Sequence, residues 1–165
     1  MILIGLGGNL PSEVGAPDAT ISAAIEALDR KGVKIAARSR LHRTSPLPPS
    51  DQPWFANEVI AVRTKLAPRD LLAVLHEVEA QFGRVRREVN AARTLDLDLL
   101  AYDQVVQAGG DGEPTLPHPR LSQRAFVLKP LAEVAPGWRH PITGETVEHL
   151  ISVLPPDQIT EPILE

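Results

Sequence analysis

Residues 94–102, "TLDLDLLAY", set leucine against aspartate at alternate positions. Side chains of a β-strand point to opposite faces in turn. The spacing therefore predicts a strand that buries Leu95, Leu97 and Leu99 on one side and presents Asp96 and Asp98 together on the other. Strands disfavour aspartate, and carboxylates two residues apart, roughly 6.5 to 7 Å at Cα, repel one another. Two resolutions stand: a wet acidic face, or a cation held by the pair. Oxygen-only donors of this kind suit Mg²⁺, which takes one or two carboxylates and fills its remaining positions with water and substrate phosphates. One strand thus asks for a dry sheet face on one side and a phosphate site beside the other.

The remaining chain supplies the sheet. Residues 2–6 read as a buried strand ended by a "GGNLP" turn, and residues 19–28 carry Ile21, Ala24, Ile25 and Leu28 at helical spacing. Residues 33–41 and 57–64 alternate, which predicts an antiparallel pair joined by a long loop. Ala67-Pro68 opens a second helix, with Leu71, Leu72, Leu75 and Val78 as its apolar stripe. The order βαββαβ predicts an α+β, ferredoxin-like core: an antiparallel sheet with helices on one face, plus C-terminal helical additions from "LSQRAFVLKPLAEVA". A chain of 165 residues without repeat or linker fits one domain over 1–165.

Composition removes several classes of partner. A net charge of −4 with no long basic block argues against nucleic acid. The absence of cysteine excludes disulfides, thiolate catalysis and cysteine zinc sites. The apolar start "MILIGLGGNLP" is too short to span a bilayer and lacks the charged beginning of a signal peptide, so a cytoplasmic chain with no membrane partner is expected.

Chemistry concentrates in a few polar stretches. The loop at 43–57 offers Thr44, Gln52 and Asn57 as hydrogen-bonding groups and Trp54 and Phe55 as flat apolar surfaces, stiffened by proline. "GRVRREVNAARTLDLD" places Arg84, Arg86, Arg87 and Arg93 ahead of the aspartates. Cations for phosphate oxygens beside carboxylates for Mg²⁺ is the division of labour that phosphoryl transfer needs. In "PTLPHPRLSQRAF", His118 is pinned between two prolines as a donor suited to a phosphate, with Arg120 and Arg124 following. "GLGGNLP" matches neither familiar glycine-rich phosphate loop and reads as a turn, with Asn9 bracing the site.

Together, "IGLGGNLP", "RTSPLPPSDQPWFAN", "GRVRRE", "RTLDLDLL" and "LPHPRLSQRAFVLKPLAEVAP" resemble the 6-hydroxymethyl-7,8-dihydropterin pyrophosphokinase family. The resemblance implies transfer of pyrophosphate from ATP to 6-hydroxymethyl-7,8-dihydropterin in folate biosynthesis, with AMP as the other product. It implies two Mg²⁺ ions held by Asp96 and Asp98, and a pterin surrounded by Thr44, Leu47, Phe55, Asn57 and Phe126. Glu79, Arg84, Arg93, Thr115, His118 and Arg124 would face ATP, and Asp96, Asp98, Arg84 and Arg93 would form the catalytic set. A monomer is expected. Two positions depart from the family pattern. Asn90 and Ala92 stand where a Trp and a Pro are common, which makes Trp54 the candidate substitute for stacking on the pterin, and Glu113 stands where some members carry an arginine. The competing expectations are a non-catalytic ferredoxin-like module that senses a nucleotide or small ligand, and a different Mg²⁺-dependent nucleotide transferase.

Overall fold

The computed structural model describes residues 1–46, 48–83 and 94–163. β1 (Ile2–Gly8) lies inside a six-stranded antiparallel sheet, flanked by β4 (Phe55–Arg63) and by β5 (Asp96–Tyr102). β2 (Lys34–Arg38) and β3 (His42–Thr44) pair with successive stretches of β4, and β6 (Thr160–Pro162) adds to the outer side of β3. With β2 and β3 counted as one broken strand, the core order is that of the expected ferredoxin-like sheet.

The break has a local cause. The Ser39 hydroxyl accepts the Val59 amide at 3.0 Å, so a side chain replaces one rung of the ladder between 38 and 42. β1 runs further than the sequence pattern suggests, because Gly7 and Gly8, expected in a turn, still pair with Asn57 and Ala56. Between β1 and β5 the register slips: Ile4 pairs with Leu99 but Leu3 with Ala101, leaving Leu100 as an extra residue.

α1 (Pro17–Arg30) and α2 (Pro68–Gln81) both begin on proline, whose fixed φ suits the first helical turn and whose missing N–H would be unpaired there anyway. They pack Ile21, Ala24, Ile25, Leu28, Leu71, Leu75 and Val78 against Ile4, Leu6, Ile60, Leu97 and Leu99. Burying one such leucine contributes about 1.5–3 kcal/mol. The C-terminal additions form a layer on the opposite face, where α3 (Ala125–Val134) and α4 (Val147–Ser152) cover Leu3, Val59, Ala61 and Leu100. No helix among the described residues is long and apolar enough to cross a membrane.

Candidate active site

α3 and α4 leave a polar part of this second face. In register across three strands lie Asp96 of β5, Gly7 of β1 and Asn57 of β4, with His42 of β3 beyond them. The neighbouring row runs Asp98, Gly5, Val59. Adjacent strands are about 4.8 Å apart, so Asp96 and Asn57 face each other across Gly7 from roughly 10 Å. Two glycines on the intervening strand keep the floor low. A Cβ on Gly7 would lie 2.6 Å from Asn57 Oδ1, so the amide leans into space that only glycine leaves open. The result is a trough with a carboxylate wall and an amide wall.

On the amide wall, Asn57 Nδ2 donates to Thr44 Oγ1 at 2.8 Å, which fixes the orientation of the carboxamide. Phe55 pairs with Thr44 and shares its face, and Phe126 stands half-buried near the start of α3. The Arg124 guanidinium lies 5.3 Å from the centre of the Phe126 ring. Asn9, buried, donates to Gln52 Oε1 at 2.8 Å and to the Pro53 carbonyl at 3.0 Å, and so ties the end of β1 to the 43–57 loop. Trp54 does not take the place proposed for it: its ring lies under the Arg43 guanidinium at 4.2 Å, and Arg43 pairs with Ala56 on the other face of the sheet. An extended chain sends consecutive side chains to opposite sides, so with Phe55 facing the trough Trp54 faces away. Leu47 lies outside the described residues.

On the carboxylate wall, His118 Nε2 stands 3.8 Å from Asp98 Oδ1. Two backbone contacts fix that ring. The His118 amide donates to the carbonyl of the bulged Leu100 at 2.8 Å, and the Arg120 amide donates to Nδ1 at 3.2 Å. With Nδ1 accepting, the ring proton sits on Nε2, towards Asp98. Burial first, then the charges of Arg124 and Arg120, push the imidazole down to about 4 against an opposing pull from Asp96, so the ring is neutral near pH 7 and still a donor.

Glu79 was expected towards ATP. It is 2% exposed and reaches β5 from α2, where its Oε2 accepts the Leu97 amide at 2.8 Å, between the two aspartates in sequence. Thr115 is exposed, and its hydroxyl accepts the Gly109 amide at 3.0 Å within the excursion that follows β5. Glu113 faces Arg69 of α2 at 3.1 Å. Arg84, Arg93 and the substituted positions 90 and 92 lie outside the described residues. No group of three or more His, Asp or Glu side chains among the described residues is placed to hold a metal. Two carboxylates suffice for Mg²⁺ when phosphates and water complete the shell, so Asp96 and Asp98 fit the ion by number and chemistry.

Sequence reading missed His42 and Glu133. His42 is 2% exposed, with Nε2 2.6 Å from Glu133 Oε2 of α3, and Arg40 holds the same carboxylate. Burial raises the Glu133 carboxyl, but the Arg40 side chain and amide and the His42 ring outweigh it and hold it below its ordinary range. The signal for His42 was available: it precedes Thr44 by two on a strand and so shares its face.

Residues 3–136 match the family model for 7,8-dihydro-6-hydroxymethylpterin-pyrophosphokinase (HPPK). The chain belongs to this family. Among its pyrophosphokinase relatives, the 2-amino-4-hydroxy-6-hydroxymethyldihydropteridine pyrophosphokinase of Methylorubrum extorquens is 40% identical over 157 residues, 94% of each chain. That of Pseudomonas aeruginosa is 39% identical over 93% of this chain and 91% of its own. The crystal structure of wild-type HPPK-DHPS from Plasmodium falciparum superimposes with a TM-score of 0.70 at 13% identity, a likeness of fold. It covers 92% of this chain, which spans 43% of that longer one.

Proposed function

We propose that the protein moves the pyrophosphoryl group of ATP to the hydroxymethyl oxygen of 6-hydroxymethyl-7,8-dihydropterin, a step of folate synthesis that releases AMP. Family membership gives the reaction class. The observation that carries the assignment to this site is the in-register row Asp96, Gly7, Asn57, which sets a carboxylate wall and an oriented carboxamide either side of a glycine floor.

Asn57, held by Thr44, offers both a donor and an acceptor, which suits the amino and oxo edge of a pterin, while Phe55 and Phe126 supply flat apolar area for its rings. Asp96 and Asp98 would hold two Mg²⁺ ions, which supply neutralisation of the phosphate charge. His118, neutral and carrying its proton on Nε2, donates to a phosphate oxygen, and Arg124 adds a cation beside it. Arg84 and Arg93 complete the cationic side. The hydroxymethyl oxygen then attacks the β-phosphorus; the bond to the bridging oxygen breaks, its electron pair leaves with AMP, and the alcohol proton passes either to the Asp98 carboxylate or, where a bound metal would acidify the alcohol, to water. The reading takes residues 1–165 as one catalytic domain acting in the cytoplasm as a monomer.

Incubation with ATP, Mg²⁺ and the pterin alcohol, followed by separation of nucleotides, tests this. AMP and pterin diphosphate in equal amounts are expected, with no turnover when Mg²⁺ is chelated. ADP in place of AMP would point to a different phosphotransferase, and binding without turnover to a sensing module; either result would end the proposal.

A further inference from the structure

The segment 158–160 lies beyond residues 3–136, which match the family model, and the sequence offers no role for it. Its contacts are specific. Thr160, 5% exposed, pairs with Thr44 across β6 and β3, and the two hydroxyl oxygens are 3.3 Å apart. Thr44 Oγ1 is also the acceptor that fixes the Asn57 amide at 2.8 Å, so three buried polar groups form one chain that ends in the carboxamide over Gly7. Backbone bonds hold the tail in place: the Ser45 amide donates to the Ile159 carbonyl at 3.2 Å and the Ile163 amide to the Leu41 carbonyl at 2.8 Å.

Two residues earlier, the Gln158 carboxamide brackets Arg124. Its Oε1 accepts the Ala125 amide at 2.8 Å and its Nε2 donates to the Gln123 carbonyl at 2.8 Å. Arg124 gives α3 no capping side chain, so Gln158 satisfies a first-turn amide that the helix's own sequence leaves without one. Lys129 Nζ donates to the Thr160 carbonyl at 3.3 Å, a second tie between α3 and the tail.

We propose that Gln158 and Thr160 form a clasp that positions both halves of the site: Thr160 orients Thr44 and Asn57 for the pterin, and Gln158 holds the backbone on either side of Arg124 for ATP. The assignment of each half to its substrate rests on the reading above; the clasp itself rests on the contacts. Neither residue touches a reacting atom. Both are positioning residues, and their loss acts on substrate affinity through another side chain.

The test uses the full chain with Thr160→Val, which removes the hydroxyl and keeps the branched shape, Thr160→Ser, which keeps the hydroxyl, and Gln158→Ala. Thr160→Val is expected to raise the pterin Kd, measured with a non-hydrolysable ATP analogue, about threefold to tenfold, the range for one lost hydrogen bond. Affinity for the analogue and kcat should stay within about twofold, and Thr160→Ser should restore pterin binding. Gln158→Ala should weaken ATP and spare the pterin. In the free protein, the Asn57 side-chain amide resonance should move in Thr160→Val and stay in place in Thr160→Ser. Wild-type affinities in both Thr160→Val and Gln158→Ala, or equal loss of both substrates in each, would overturn the clasp. So would an unmoved Asn57 resonance, which decides the matter without substrate; a wild-type protein that makes no AMP counts against the functional reading instead.

Discussion

Gly7 is a position where one atom decides whether the trough exists. A Cβ there would meet Asn57 Oδ1 at 2.6 Å, whereas a Cβ on Gly5 would meet Leu100 at an ordinary 3.5 Å. Gly7→Ala should therefore displace the carboxamide from Thr44 and weaken pterin binding by about tenfold or more, the scale of a buried amide left unpaired. Gly5→Ala should do much less, and equal affinities by calorimetry would show that Asn57 does not need the space. Asp98→Ala should abolish turnover and keep the fold, since the leucines of β5 carry its packing; a melting point lower by much more than about 5 °C would contradict that division of faces. His118 gives the free protein a pH dependence of known sign. Its ring ionises at about 4 when folded, below the ordinary 6.5, so as pH falls the unfolded chain binds the proton first. The contribution is complete above about pH 6.5, declines between 6.5 and 4, and is gone below that, up to about 3 kcal/mol in all. Without metal or nucleotide, the stability gap between wild type and His118→Gln in urea should shrink by that order from pH 7 to pH 4; a constant gap would mean the folded ring titrates like an exposed one.

β5 depends on contacts from outside the sheet. Glu79 of α2 takes the Leu97 amide and the Leu100 carbonyl takes the His118 amide, so the strand with the aspartates is held from outside the sheet by a helix and by a proline-pinned loop. Glu79→Ala leaves the Leu97 amide buried without its acceptor and should cost about 1–3 kcal/mol. That is a drop of roughly 3 to 10 °C in melting point for a chain of this size. Glu79→Gln keeps an oxygen acceptor and should lose clearly less; identical melting points for the two variants would rule the Leu97 contact out as the cause. At this scale the sequence was informative where one periodicity ruled a whole segment. Leucine and aspartate two apart gave the faces of β5, and proline with spaced leucines gave α2. It was uninformative where a single side chain broke the pattern, as Ser39 does between β2 and β3, or where an element is short. β6 and the six-residue α4 bury too few residues to show a period. The trough was half legible for the same reason: Asp96, Asp98, Thr44 and Asn57 announce themselves by type, whereas Gly7 and Thr160 matter only through partners that are 50 and 116 positions away.

Across the whole molecule, the antiparallel order could be derived from the element sequence, but the second helical layer could not, because α3 is apolar enough for either face. Its placement on the face of the aspartates walls the trough and gives the tail something to hold. The sheet's outer strands carry a further consequence. Among the described residues the strands without a partner on one side are β5, β2 and β6, and each is a poor template for a strand from another copy. β5 has two carboxylates and an extra residue, with the Leu97 amide and Leu100 carbonyl already engaged. β2 is short, irregular between Ile35 and Ala37, and bears Lys34 and Arg38. β6 is three residues long and ends in Pro162, which has no amide to offer. Charges, bulges, short length and proline are the features that keep sheet edges from joining. Light scattering over a wide concentration range should accordingly give the mass of one chain, and ordered polymers at high concentration would contradict it. The bonds that steady the aspartates would then also keep the protein dispersed in a crowded solution.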